Sequence, residues 1–340
     1  MKSIFANIYN LLRCHRINRN IKFGSFWNFI HGFSEETIFL NGINKDNYKS
    51  FLSDRAYRLG HPWNGTYSSI IDNKLYLPYL LKDYPEHTPM YFYFLNNNIQ
   101  ELGGAGNITF EEFLLLLRKQ KRLVLKHICS SLGNGFHLLE YIKEDKILLD
   151  TQYVNEIKLR HFLYSLKDYI VSEYVQQHQY AQEVNSSSLN TIRMLCVRDK
   201  RLNTFNVVRC FHRFGSNGSL VDNLGGGNAC LHFVDIATGI VESAGMVNIN
   251  NQGEQYSEHV IHPSGRDLTG LKIPSFNEIK DKVLEISNSF PFLKYVGWDI
   301  AITEKGFKII EANSLTSLGI LQRKGGYLDD PILKDIFVSK

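Results

Sequence analysis

Residues 297–313, GWDIAITEKGFKIIEAN, constrain this chain more than any other segment. Two apolar runs flank Glu304, Lys305 and Gly306, the composition of a tight β-hairpin. Side chains two apart on a strand share a face, so Glu311 and Asn313 point the same way. A turn centred on Lys305 sets Asp299 opposite Glu311. Two carboxylates and an amide oxygen then converge from adjacent strands. The neighbours Trp298, Ile300, Ile309 and Ile310 are apolar, which favours a buried sheet over a solvated outer face. Carboxylates in such a setting are costly unless a cation neutralises them. Hard oxygen donors suit Mg²⁺, which keeps waters and shares phosphate oxygens with the protein.

Three earlier segments carry weaker signals. In RLVLKHICSSLGNGFHLLE, Lys126 ends an apolar strand and a loop of small residues follows, with Ser130, Ser131, Gly133, Asn134 and Gly135. Such loops let backbone N–H groups approach phosphates, and the lysine adds a point charge. Neither a Walker loop nor a Rossmann glycine pattern is present. In DYIVSEYVQQH, a strand ends at Glu173, Tyr174 and Val175, where backbone and acid can meet an adenine edge. In SSSLNTIRMLCV, Arg193 alternates with Ile192 and Met194, next to Asn190 and Thr191. A guanidinium there can steady a phosphoryl group, or form a surface ion pair. Read singly, each segment also fits an ordinary loop, strand edge or salt bridge.

The rest of the chain bounds the fold. At 340 residues it is long enough for two or three joined lobes. A hydrophobic content of 44% fits a folded protein. The net charge of +4, without long basic runs, gives no sign of nucleic-acid binding. The five cysteines are scattered and odd in number, so neither a disulfide framework nor a zinc ribbon is indicated. Each reads as a small core residue. Asn7, Asn10 and Arg13 interrupt the apolar start, which leaves no secretory signal and implies a reduced, cytoplasmic compartment.

Pattern changes divide the chain into a mainly helical, basic region at 1–60 and a preceding lobe at 61–108. A two-part domain follows at 109–325, split at 178, with a tail at 326–340. Helices are expected at 110–120, 155–166 and 277–288. Strands are expected at 90–95, 122–126, 136–141 and 169–175, followed by antiparallel strands from 191 to 244 and at 295–302 and 307–312. This is an α+β chain with helices on antiparallel sheets, not a βαβ repeat. Lys2, Arg13, Arg16, Arg19 and Lys22 precede the first acid, Glu35, while Ile4, Phe5, Ile8, Leu11 and Leu12 recur at helical spacing. A helix of that kind either docks on the body or lies on an anionic membrane surface.

The order of these segments resembles the ATP-grasp superfamily, and more closely its bacterial sugar-transfer-associated family. The residues that carry the resemblance are Asn190–Arg193, Asn223 with Gly225–Gly227, His262–Gly265, Gly297–Asp299, Glu311–Asn313 and Gln322. It spans roughly Asp72 to Gln322. The resemblance implies two α+β lobes that sandwich ATP. Lys126, and Lys74 from the preceding lobe, would reach the nucleotide's phosphates, under a loop formed by Ser130, Ser131, Gly133 and Gly135. Glu173, Tyr174 and Val175 would hold adenine, with His178 or Gln177 near the ribose. Asp299, Glu311 and Asn313 would hold two Mg²⁺ ions, and Arg193 would act on the transferred phosphoryl group.

The chemistry so implied is an ATP-dependent carboxylate–amine ligase acting through an acyl phosphate. The family's association with capsule or O-antigen polysaccharide loci implies a uronic-acid carboxylate, on a nucleotide sugar or lipid-linked glycan, joined to an amino acid or other amine. Asn190, Arg213, Asn223, His262 and Gln322 would contact substrate. A phosphotransferase of the same fold is an alternative, and a non-enzymatic membrane-surface scaffold is another. Residues 1–22 would supply peripheral contact at the inner face of the membrane.

Overall fold

The computed structural model describes residues 13–104, 106–130, 133–143, 146–216, 218–226, 229–250 and 252–338. Two seven-stranded antiparallel sheets dominate it. The first has the order β2-β1-β7-β3-β4-β5-β6. Its strands are β1 (Tyr91–Leu95), β2 (Ile99–Glu101), β3 (Arg122–His127), β4 (Phe136–Lys143), β5 (Lys146–Leu149), β6 (Gln152–Val154) and β7 (Tyr169–Glu173).

Helices Phe110–Gln120 and Glu156–Ser165 cover one face of this sheet. Phe110–Gln120 opens with a full capping box, in which Thr109 and Glu112 satisfy each other's backbone N–H groups. Its Phe113 and Leu117 meet Leu123 and Leu125 of β3, Leu139 of β4 and Val171 of β7 in one core. Strand alternation then fixes the opposite face. Val124 and Lys126 of β3, with Phe136 and Leu138 of β4, turn away from the helices and line a cleft.

The second sheet has the order β12-β11-β10-β9-β8-β13-β14. It comprises β8 (Ile192–Asp199), β9 (Thr204–Gly215), β10 (Ala229–Val234), β11 (Val241–Asn248), β12 (Gln255–Ser257), β13 (Tyr295–Thr303) and β14 (Gly306–Asn313). Helix Phe276–Asn288 packs on one face, where Val283 and Ile286 meet Met194, Cys196, Trp298 and Ile300. On the other face Leu195, Val197 and Tyr295 pack with Tyr57, Tyr327 and Leu333 from the two ends of the chain. Because both faces are covered, β13 is buried along nearly its whole length. Arg193, Gly297 and Asp299 share the face of Leu195 and Tyr295 by alternation.

Two features differ from the sequence expectations for a physical reason. Strand β1 lies within the 61–108 segment yet pairs with β7, with Phe94 opposite Ile170 and Leu95 opposite Tyr169. The first sheet therefore begins near residue 91. Cys196, Cys210 and Cys230 are buried core residues, but Cys129 is exposed in the loop after β3.

Candidate active site

The β13–β14 hairpin sets the centre of the site. Asp299 does pair with Glu311, by a route the alternation argument does not contain. The turn is the two residues between Thr303 and Gly306, so Ile300 pairs with Ile309. In that register Asp299 would face Ile310. A bulge at this point shifts the pairing by one residue and brings Glu311 across. Ile310, the extra residue, packs with Val175 and Ala301 and lines the cleft.

Arg193 lies opposite Asp299 on the neighbouring strand β8. Its guanidinium grips the Asp299 carboxylate with two parallel hydrogen bonds, from Nε to Oδ1 and from Nη2 to Oδ2 at 2.8 Å. Arg213 of β9 adds a third contact, Nη2 to Oδ2 at 3.0 Å. Burial alone would raise the Asp299 pKa; the two guanidinium groups override it and hold the carboxyl down at about 2. Gly297 makes room for this packing, since a Cβ there would sit 2.7 Å from Thr316 Cγ2 and 3.0 Å from Arg193 Cδ. Behind Arg213 stands Asp222, whose Oδ2 accepts from Thr191 N at 2.8 Å and Thr191 Oγ1 at 2.5 Å. Burial pushes the Asp222 pKa up despite Arg213 and Thr191.

Glu311 meets the other lobe. Lys74 Nζ lies 2.9 Å from Glu311 Oε1 and donates to the Ser130 carbonyl at 2.6 Å. Burial lowers the Lys126 pKa to about 8, with Glu311 opposing the shift and Lys74 adding to it. Four cationic side chains, Lys74, Lys126, Arg193 and Arg213, thus surround the three carboxylates Asp222, Asp299 and Glu311. The balance favours an anionic ligand. Asn313 donates through Nδ2 to the Gly297 carbonyl at 3.4 Å, which leaves its amide oxygen as an acceptor.

A cleft lies between the two sheets. Val124 and Leu138 form one apolar wall, Leu189 and Ile310 the other. Glu173, Tyr174 and Val175 lie along it, and Lys126 closes it toward the carboxylates. Glu173 Oε1 accepts from Met90 N at 3.0 Å. Gly133 (φ 75°), in the loop after β3, sits so close to Val221 that a Cβ would come within 3.1 Å. Ser131 and Gly227 lie outside the described residues.

The other expected contact residues have partners within the protein. His178 caps helix Gln179–Val184, its Nδ1 accepting from Tyr180 N, and stands 3.5 Å from Glu304 at the hairpin tip. Asn190 and Gln177 hold each other and the carbonyls of Ala181, Asn185 and Ser188. His262 is buried between Ser264 Oγ and the Gly215 carbonyl. Gln322, fully buried, accepts from Leu52 N and donates to Leu52 O. Asn223 accepts from Gly225 N in a local turn. Sequence reasoning missed Asp222, which carries no periodic signal beyond its place before Asn223. It also missed Tyr91, whose hydroxyl burial and the charges of Glu311 and Glu173 hold protonated.

The curated large ribosomal subunit protein bL9 of Ureaplasma urealyticum serovar 10 is 32% identical over 72 residues, 20% of this chain and 48% of that protein. The chain thus spans about half the length of that relative. Similar solved structures include the ATP-grasp ligase PsnB complexed with minimal precursor, at 11% identity and a TM-score of 0.42, covering 82% of this chain and 64% of that one. The D-alanyl-alanine synthetase A from Vibrio cholerae O1 biovar eltor is 9% identical with a TM-score of 0.46, covering 91% and 74%. VanG D-Ala:D-Ser ligase from Enterococcus faecalis is 10% identical with a TM-score of 0.44, covering 79% and 62%. The chain spans just under two thirds of PsnB and of VanG. The family description "sugar-transfer associated ATP-grasp" matches residues 58–329, from the helical region before Lys74 to beyond Gln322. With four fifths of its length so matched, the chain belongs to the sugar-transfer associated ATP-grasp family.

Proposed function

We propose that this chain is a Mg·ATP-dependent ligase that joins a carboxylate to an amine through an acyl phosphate. The observation that carries the reading is the meeting of Lys74, Lys126, Arg193 and Arg213 with Asp299 and Glu311 at the closed end of an apolar cleft. The cleft suits a flat base, with Glu173 and Val175 beside it. The excess of cations suits a triphosphate and a second anion, the carboxylate to be activated.

The donor set fits Mg²⁺. Asp299, Glu311 and the Asn313 amide offer hard oxygens from two strands in register. Among the described residues no group of three or more His, Cys, Asp or Glu could hold a metal. The remaining coordination would therefore come from phosphate oxygens and water, the habit of Mg²⁺. When bound, the ion supplies charge neutralisation to the phosphates. Lys74 and Lys126 orient the phosphate chain, and Arg193 and Arg213 stabilise charge on the transferred group.

In the reaction a carboxylate oxygen attacks the γ-phosphorus, the bond to ADP breaks, and an acyl phosphate forms. The amine then attacks the carbonyl carbon, phosphate leaves with its electron pair, and the nitrogen loses a proton. The family description and the cationic site support a sugar acid as the carboxylate, with an amino acid or other amine as nucleophile. The experiment is a turnover with ¹⁸O-labelled uronic acids, an amine panel and Mg·ATP. Transfer of one ¹⁸O into free phosphate supports the ligase. A stable phospho-product without free phosphate overturns it in favour of a phosphotransferase.

We further propose that the N-terminal region rests on an anionic membrane surface. Arg16, Arg19 and Lys22 are exposed, and Phe26, Phe29 and Ile30 follow them as exposed apolar side chains. Basic and apolar residues so placed match a charged lipid surface. Residues 1–12 lie outside the described residues. Among those described, no helix is long and apolar enough to cross a membrane.

A further inference from the structure

Three side chains form a hydrogen-bonded series at the open end of the β13–β14 hairpin. Asp72 accepts twice from Ser314, through Oδ1 from the backbone N–H at 2.6 Å and through Oδ2 from the hydroxyl at 2.6 Å. The Ser314 oxygen lies 2.9 Å from His61 Nε2. The chemistry of a hydroxyl fixes the proton order along this series. A hydroxyl has one hydrogen, and an ionised carboxylate only accepts. The Ser314 hydrogen goes to Asp72, so its oxygen accepts from His61 Nε2–H. In a neutral imidazole the other nitrogen, Nδ1, then carries the basic lone pair. Burial lowers the His61 pKa, with Asp72 opposing and Arg13 adding to the shift, so the ring stays neutral near pH 7. No described residue hydrogen-bonds to Nδ1, and the ring is only half-buried.

Strand β14 serves as a ruler for where this ring stands. Lys308 lies 3.8 Å from Glu173, at the apolar end of the cleft. Three residues on, Glu311 meets Lys74. Three further on, Ser314 meets Asp72 and His61. The first interval spans the bulge and two partner residues of β13, roughly 7 Å at the rise of a strand, and the second runs one residue past the end of β14. His61 thus lies beyond the phosphate-binding lysines, on the side away from Glu173, where the activated carboxylate and its attacker would meet. The helical region that ends at His61 is held there by Arg13, which donates to the His61 carbonyl.

We propose that His61 is the general base of the second half-reaction, with Ser314 and Asp72 as positioning residues that fix its tautomer. The proposal rests on the ligase reading above. The neutral amine attacks the acyl carbon, the C–N bond forms, and the C–O bond to phosphate breaks with the electron pair leaving on phosphate. The proton of the amine passes to Nδ1, and the imidazolium returns it to water.

The test compares two nucleophiles on the full chain, hydroxylamine and a panel of amino acids, with glucuronate or galacturonate and Mg·ATP. Hydroxylamine is a strong neutral nucleophile that intercepts acyl phosphates without a base. His61→Gln is expected to lower the ratio of amide to hydroxamate by about 10²-fold, within the range of general-base catalysis. It should also remove the acidic limb from the pH profile of kcat/KM for the amine. Ser314→Ala, which frees the tautomer but keeps the imidazole, should lower the same ratio by less. An unchanged ratio in both variants overturns the assignment of His61, whatever the absolute rates. Absence of hydroxamate from the wild-type chain with every acid overturns the ligase reading, and the assignment with it.

Discussion

Lys74 Nζ bridges Glu311 Oε1 at 2.9 Å and the Ser130 carbonyl at 2.6 Å. One ammonium group thus joins the segment before the first sheet, the loop after β3 and the candidate donor on β14. Removing it should act on ligand binding rather than on the fold, because its neighbours sit at the edge of a cleft. Lys74→Met is expected to weaken ATP binding about 10–100-fold, the equivalent of one charged hydrogen bond at about 1.5–3 kcal/mol. Calorimetric titration of Mg·ATP into the variant measures this. Unchanged affinity would separate Lys74 from the nucleotide.

Asp299 is a structural anchor as well as a candidate metal ligand, since Arg193 and Arg213 both close on it. Asp299→Asn should abolish turnover and also lower stability, by about 3–5 kcal/mol, because two buried guanidinium groups lose their counter-charge. Adding Arg193→Met should restore part of the stability but no activity. Urea denaturation of the single and double variants distinguishes this from a site that is catalytic alone, where stability would not move.

Acid should destabilise the second sheet through its buried histidines. His212 is fully buried, 2.8 Å from the Tyr180 hydroxyl, and burial lowers its pKa to about 3. The unfolded chain takes up that proton near pH 6.5, so it binds more protons throughout the interval. Stability is then full above about pH 6.5 and is lost as pH falls toward 3. His232, directly across on β10, is shifted the same way by burial. The urea midpoint should be lower near pH 5.5 than near pH 7.5, and His212→Gln should reduce the difference. Equal midpoints in the wild-type chain would show that burial of these histidines does not set the acid limb.

Membrane recovery should depend on the exposed apolar residues as well as the basic ones. Phe26 is 77% exposed and Ile30 54%, and the pair lies one helical turn apart. Phe26→Ser with Ile30→Ser should reduce sedimentation with vesicles containing anionic lipid and leave turnover on a soluble acid unchanged. Equal sedimentation would remove the membrane contact.

The hairpin that anchors the site was legible because alternation and apolar neighbours are local signals. The bulge at Ile310 was not, although it is what brings Glu311 opposite Asp299. A one-residue shift leaves no trace in composition. Strand β1 was legible as an apolar run, but its pairing with β7 joins residues more than seventy positions apart. Asn190, His262 and Gln322 show a second limit. A buried polar residue that satisfies backbone groups and one that faces a ligand look alike in sequence, and the Leu52 and Tyr327 backbones reveal what Gln322 holds. The His61–Ser314–Asp72 series was invisible for the same reason, since its three members share no element or spacing.

In the proposed ligase the Asp299–Glu311 hairpin is the catalytic end of the site. The most direct measurement is Mg²⁺-dependent ATP breakdown by the purified chain, with products resolved, for the wild type and Glu311→Gln. ADP and free phosphate are expected from the wild type only when a sugar acid and an amine are both present, with no turnover from a variant that keeps the native circular dichroism spectrum. Turnover by Glu311→Gln at the wild-type rate would contradict it and remove the hairpin from the chemistry.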